Sequence, residues 1–185
     1  MESKKEAQDM VNHPSHYAGQ GKVECIDYIA VAVGGYVGEI AGDLQNVVKY
    51  TWRTHHKNGK EDLEKALWYA TRATQKLQEI KTDRPALFSK MKDMVQFVTE
   101  HRTEKEKEVF NEGMLQVWKP LNSLERSCYK GIIDSIRDGN FIMDERAPKV
   151  ICQQLGMWVE RYDKTVSLKR PASENLKNNG LEASR

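Results

Sequence analysis

Apolar residues recur every three or four positions along most of the chain, the spacing that gathers them on one face of an α-helix. From Tyr36 to Lys57 that face is Leu44, Val47, Val48, Thr51 and Trp52. From Glu61 to Ile80 it is Leu63, Ala66, Leu67, Ala70, Ala73, Leu77 and Ile80. A shorter helix is expected over Lys22 to Val33, turning Cys25, Ile26, Ile29 and Ala30 toward a core and broken by Gly34 and Gly35. Gly38 and Gly42, one turn apart, predict a close helix contact. Beyond a turn at Thr82-Asp83-Arg84-Pro85, amphipathic runs cover Ala86 to His101 and Thr103 to Trp118, where Pro120 stops the run. Asn122 followed by Glu125 has the form of a capping box and opens a further helix, closed by Gly139. Pro148 suits the first turn of a last helix carrying Val150, Ile151, Leu155, Trp158, Val159 and Tyr162. No run alternates with period two for long enough to make a strand, so the chain reads as all-α.

The polar positions on the two central helices form stripes of their own. Asn46, Lys49, Tyr50, Arg53 and Lys57 share one face, and Asp62, Lys65, Tyr69, Arg72 and Lys76 share another. A short turn at Asn58-Gly59 makes the two helices antiparallel neighbours, with the stripes flanking one cleft. Lysine binds phosphate as a point charge and arginine binds it bidentately. The pairing of Lys and Tyr on both helices suits an anionic ligand with a flat ring. The competing reading of either stripe alone is a solvated helix face.

Charge and composition narrow the classes. The 185 residues carry a net charge of +2, which argues against a strongly basic nucleic-acid binder. No apolar run reaches the roughly 18 residues that cross a membrane, and the first residues hold no apolar signal region. The expected location is the cytoplasm. The three cysteines, Cys25, Cys128 and Cys152, lie far apart in apolar helical contexts and read as reduced thiols. Glu24 and Asp27, three apart, can hold Mg²⁺ through one or two oxygens and waters, or can be surface carboxylates near a helix start. His13 and His16 sit in a loop with Tyr17 that reads as a ligand lid. Zinc is the alternative there, without a second Cys or His pair at zinc-site spacing. The chain has no P-loop, Gly-x-Gly-x-x-Gly, Gly-x-Ser-x-Gly or His-Glu-x-x-His motif. Phosphate chemistry would therefore rest on side chains of helices.

Four ordered blocks carry a resemblance: Pro14-Ser15-His16-Tyr17, Val23 to Asp27, Asn46 to Arg53, and Lys57 to Tyr69. Together they resemble a bacteriophage family catalogued as DUF3310, or SaV-like. Its pattern reads Pro-Ser-His-Tyr, Ile-Glu, Gly-Asn-x-x-Lys-Tyr-x-x-Arg and Asp-Leu-x-Lys-Ala-x-x-Tyr. Gln45 departs from it, standing where the family has glycine. One branch is similar to the early nucleotide kinase of T7-like phages, an oligomeric enzyme that phosphorylates deoxynucleoside monophosphates without a P-loop. Another is sensed by a bacterial abortive-infection system.

The resemblance implies a nucleotide site of Ser15, His16, Tyr17, Asn46, Lys49, Tyr50, Arg53, Asp62, Lys65 and Tyr69, to which the first stripe adds Lys57. In the kinase reading Lys49 and Arg53, with Lys57 or Lys65, neutralise phosphates, and Glu24 and Asp27 hold Mg²⁺. Tyr17 or Tyr50 stacks on the base, and His16 bonds a phosphate or moves a proton. A nucleoside triphosphate is the donor. Alternatives are a non-catalytic nucleotide binder or host-defence contact, and a Mg²⁺-dependent all-α nucleotide pyrophosphatase. The expected partners are nucleotides, further copies of the chain, and a host or phage protein met through the later helices. The expected divisions are a flexible 1–11, a nucleotide-binding helical domain at 12–84, a helical extension at 85–163 and a disordered tail at 164–185.

Overall fold

A computed structural model describes residues 23–169 of the chain, with side chains through Tyr162. Within that span every regular element is a helix: α1 Cys25–Ala32, α2 Gly38–Arg53, α3 Lys60–Asp83, α4 Pro85–Glu100, α5 Glu104–Trp118, α6 Ser123–Arg137, α7 Asn140–Met143 and α8 Ala147–Lys169. The fold is all-α, with no strand among the described residues. The last helix continues to Lys169, into the segment expected to be a tail. The short α7 was not foreseen, because one turn is too brief to show a helical period.

Local chemistry explains the ends. Asn122 accepts from the Glu125 N–H at 3.0 Å while the Glu125 carboxylate accepts from the Asn122 N–H at 2.8 Å, the reciprocal box that α6 was expected to have. Thr103 and Glu106 build the same device at the start of α5. Pro85 and Pro148 occupy first turns of α4 and α8, where a missing N–H costs nothing. Gly35 turns the chain between α1 and α2 with φ of +91°, and a side chain there would also meet the backbone of Val95.

One core joins the elements on both sides of Arg84. Leu63, Ala66, Ala70 and Ala73 of α3 are fully buried in the same cluster as Ile132, Ile133 and Ile136 of α6 and Ile151, Leu155 and Trp158 of α8. Helix α3 lies along both α2 and α8, and α1 packs on α5. Tyr28 of α1 stacks on Phe110 at 5.2 Å and tilts against Trp52 at 5.0 Å. A glycine that permits a close helix approach is Gly113, where an added Cβ would sit 2.3 Å from the Tyr28 ring. At Gly38 and Gly42, the pair expected to do this, an added Cβ meets nothing within 4 Å. Helix α1 also turns differently from expectation. Tyr28 and Val31 are buried, whereas Ile26 is 66% exposed and Ala30 is exposed.

Candidate functional site

The antiparallel α2–α3 hairpin aligns the two polar stripes residue against residue. At the turn, Arg53 Nε and Nη2 donate to Asp62 Oδ2 and Oδ1 at 3.0 and 2.9 Å. The Asn58 N–H adds a bond to Asp62 Oδ2 at 3.3 Å. One step further along, Tyr50 stacks on Tyr69 with ring centroids 5.7 Å apart. Next, Arg72 Nη1 donates to Asp43 Oδ1 at 2.7 Å, and at the far end Lys76 Nζ lies 3.8 Å from Glu39. The stripes thus close on each other as a polar seam, where an open cleft between them was expected.

This geometry changes the roles available to each residue. Arg53 is 7% exposed and Asp62 is fully buried, so the expected phosphate-binding arginine is a structural partner of Asp62. Its guanidinium also lies 4.7 Å from the centre of the Tyr50 ring. Lys49 Nζ lies 4.6 Å from the same ring and donates to Asn46 Oδ1 at 2.5 Å, while Asn46 Nδ2 is held by the Gly42 carbonyl at 2.8 Å. Lys65 approaches from α3, 5.9 Å from the Tyr50 ring, and is paired with Glu61. Tyr50 is therefore bracketed by cations and by Tyr69, which leaves it poorly placed to stack on a base. Lys57 is exposed in the α2–α3 turn.

Electrostatics single out Lys49. Partial burial, then the neighbouring Arg53, push its ammonium below the usual lysine range. The charge of an anion beside it would offset both. Helix α1 lies close enough for Lys49 and Arg53 to act on the Cys25 thiol, yet burial outweighs them and pushes that thiol up to about 12. Cys25 is thus protonated and inert at neutral pH. Cys128 is buried as expected, and Cys152 is half-buried beside Thr71 and Thr74.

Glu24 stands at the N-cap position of α1 without a capping side-chain bond and Asp27 lies exposed in its first turn, so the two residues share one end of one helix. No group of three or more His, Cys, Asp and Glu positioned to hold a metal occurs among the described residues. Mg²⁺ keeps waters and takes further oxygens from substrate phosphates, so two carboxylates could hold it only together with those. Ser15, His16 and Tyr17, and with them the proposed lid and the His13 zinc alternative, lie outside the described residues.

Two further residues beside these were given no site role by the sequence. Trp68 is 58% exposed, sits edge-on to Tyr69 at 4.8 Å and has the Arg72 guanidinium 5.9 Å from its ring. Its position falls off the Leu63, Ala66, Ala70, Ala73 face, and that mismatch was the available signal. Asp43 is the other: it is 1% exposed, and its Oδ2 has no hydrogen-bond partner. Burial pushes its carboxyl above the usual range, with Arg72 pulling it back.

A DUF3310 family domain occupies residues 11–71, the match being to a family model described as a protein of unknown function. No curated protein and no solved structure matches the chain. The matched span takes in α1, α2 and the first half of α3, so it ends inside a helix. No helix among the described residues is long and apolar enough to cross a membrane.

Proposed function

We propose that the chain is a bacteriophage nucleotide-binding protein acting in the host cytoplasm, and that its reaction is P-loop-less phosphorylation of a (deoxy)nucleoside monophosphate. The observation that carries this reading is the convergence of Lys49 and Lys65, from two helices, on the ring of Tyr50, which itself stacks on Tyr69. Two ammonium groups at one ring, with the exposed Trp68 edge-on to the neighbouring Tyr69, suit a phosphate joined to a base. Lys49 holds the phosphate, Lys65 exchanges Glu61 for it, and Trp68 stacks on the base. Arg53 acts through Tyr50 and Asp62, fixing where Lys49 stands. His16 and Tyr17 close over the ligand, as the family resemblance implies. Phosphoryl transfer asks mainly for positioning and charge neutralisation, which such a site supplies. Mg²⁺ at Glu24 and Asp27 would add neutralisation of the donor triphosphate's charge.

A non-catalytic nucleotide binder is the second reading. It is favoured by the bidentate Arg53–Asp62 pair, which keeps that guanidinium from a transferring phosphate. Incubating the protein with deoxynucleoside monophosphates, with and without a triphosphate and Mg²⁺, separates the readings. Diphosphate formed only with the donor supports the kinase, and saturable binding without turnover supports the binder. Pyrophosphate release would support the pyrophosphatase instead. Lys49→Ala is expected to weaken nucleotide binding about tenfold, the loss of one charge-assisted contact. Unchanged affinity in that variant would remove the seam from the site.

A further inference from the structure

A second group of cations lies on other elements. Arg102 just after α4, Lys107 on α5 and Arg137 at the end of α6 line a pocket of about 310 Å³ with Thr99, Phe110, Asn111 and the carboxylate-bearing Asp138. The position of Arg102 is fixed, because its Nη2 caps the end of α6 by donating to the Arg137 carbonyl at 2.6 Å. Its Nε is buried and has no hydrogen-bond acceptor. A buried donor left in this way is costly unless something in the pocket accepts from it. The Arg137 guanidinium carbon lies over the Phe110 ring, 4.3 Å from its centre.

The nearby carboxylates are each already engaged. Asp138 accepts from Arg137 Nε at 2.7 Å, and Glu104 accepts from Lys107 at 2.6 Å. Glu106 accepts from both the N–H and the hydroxyl of Thr103 at 2.8 Å. None of them answers the Arg102 Nε. Burial and the neighbouring Arg137 also push the Arg102 guanidinium below its usual range, the direction that an intervening anion reverses.

We propose that this pocket is a second ligand site, independent of the seam, and that it binds a phosphomonoester. Arg102 Nε and the Arg137 guanidinium take the phosphate oxygens, and Lys107 can turn from Glu104 to a third. Phe110 forms an apolar floor. Thr99 and Asn111 offer neutral hydrogen-bonding groups to a hydroxylated body, for which the pocket has more room than a bare phosphate fills.

Calorimetric titration of the full chain with ribose 5-phosphate, inorganic phosphate and acetate, at constant ionic strength, tests this. Ribose 5-phosphate is expected to bind saturably and more tightly than inorganic phosphate, with acetate weakest. Arg102→Lys keeps the charge but lacks the Nε donor, and should weaken binding about tenfold, as should Arg137→Met. Lys105→Ala, which removes an exposed charge outside the pocket, should leave it unchanged. Thermal melts show which variants are folded, and Arg137→Met carries the test if Arg102→Lys is not. No saturable binding, or wild-type affinity in a folded pocket variant, would overturn the proposal. Equal affinity for ribose 5-phosphate and inorganic phosphate would overturn the phosphomonoester and leave only a bare-anion site.

Discussion

Arg53 shows how much a single residue's meaning depends on its partner. On a helical wheel it shares the polar face with Lys49, and by that placement alone Arg53→Ala would weaken binding without unfolding the protein. With Asp62 fully buried against it, the same substitution strands a carboxylate in the core. Breaking one side of a buried pair costs about 3–5 kcal/mol. Arg53→Ala should therefore lower the urea midpoint sharply, whereas Lys49→Ala should leave it nearly unchanged. Equal midpoints for the two variants would show that the Arg53–Asp62 pair contributes little. The sequence could not distinguish these cases, because the pairing crosses the turn and depends on the register of two helices. Helical period reports only which residues share a face. The letters behind the family resemblance include Asn46, Lys49, Tyr50, Arg53, Asp62, Lys65 and Tyr69. Arg53 with Asp62, and Tyr50 with Tyr69, pair across the hairpin, so part of that motif marks how the hairpin is held.

Elements were the most legible scale, because caps and breakers act within a few residues. Asn122 and Glu125 announced α6, and Thr103-x-x-Glu106 carried the same signal for α5, although only the helix start was read from it. Thr103→Ala should cost about 1 kcal/mol. Hydrogen bonds from Thr103 hold the Glu106 carboxyl below the usual range. The folded value lies under the unfolded one, so this contribution is complete above the ordinary carboxylate pKa and is lost as pH falls through the lower folded value. Denaturation of the wild type and Glu106→Gln across the acid range should show their difference closing in that direction. A constant gap would place the effect elsewhere. The contact between α1 and α5 depends on one missing side chain. Gly113→Ala would press on Tyr28, and such overpacking costs about 1–3 kcal/mol. A melting temperature equal to wild type would mean that Tyr28 moves aside freely. Gly113 was not picked out because its need comes from a ring far away in sequence, while Gly38 and Gly42 had suggestive spacing and no neighbour.

The whole molecule has a seam of a different kind, between what the family match covers and what the core requires. The DUF3310 domain ends at residue 71, yet the buried face of α3 runs on to Leu77 and Ile80 and shares its core with α6 and α8. His55 Nε2, just past α2, lies 3.3 Å from Glu125 Oε1 of α6, a contact across the same boundary that becomes an ion pair only when the imidazole is protonated. A fragment ending at Arg84 should lose the cooperative thermal transition of the full chain when followed by circular dichroism. A fragment that melted cooperatively at the same temperature would show that α1 to α3 form a self-sufficient unit. The expected division at Arg84 rested on a real turn, but a turn in the chain need not divide a core. The placement of α8 against α3 also has a consequence in time. The α2–α3 hairpin can close as soon as it leaves the ribosome, since its pairs are near in sequence. Its second apolar face then waits while roughly 60 more residues are made, about 3–12 s at ordinary rates of synthesis. For those seconds the side of α3 that α8 covers lies open, and the nascent chain is a substrate for whatever binds exposed apolar helices before Ile151, Leu155 and Trp158 arrive.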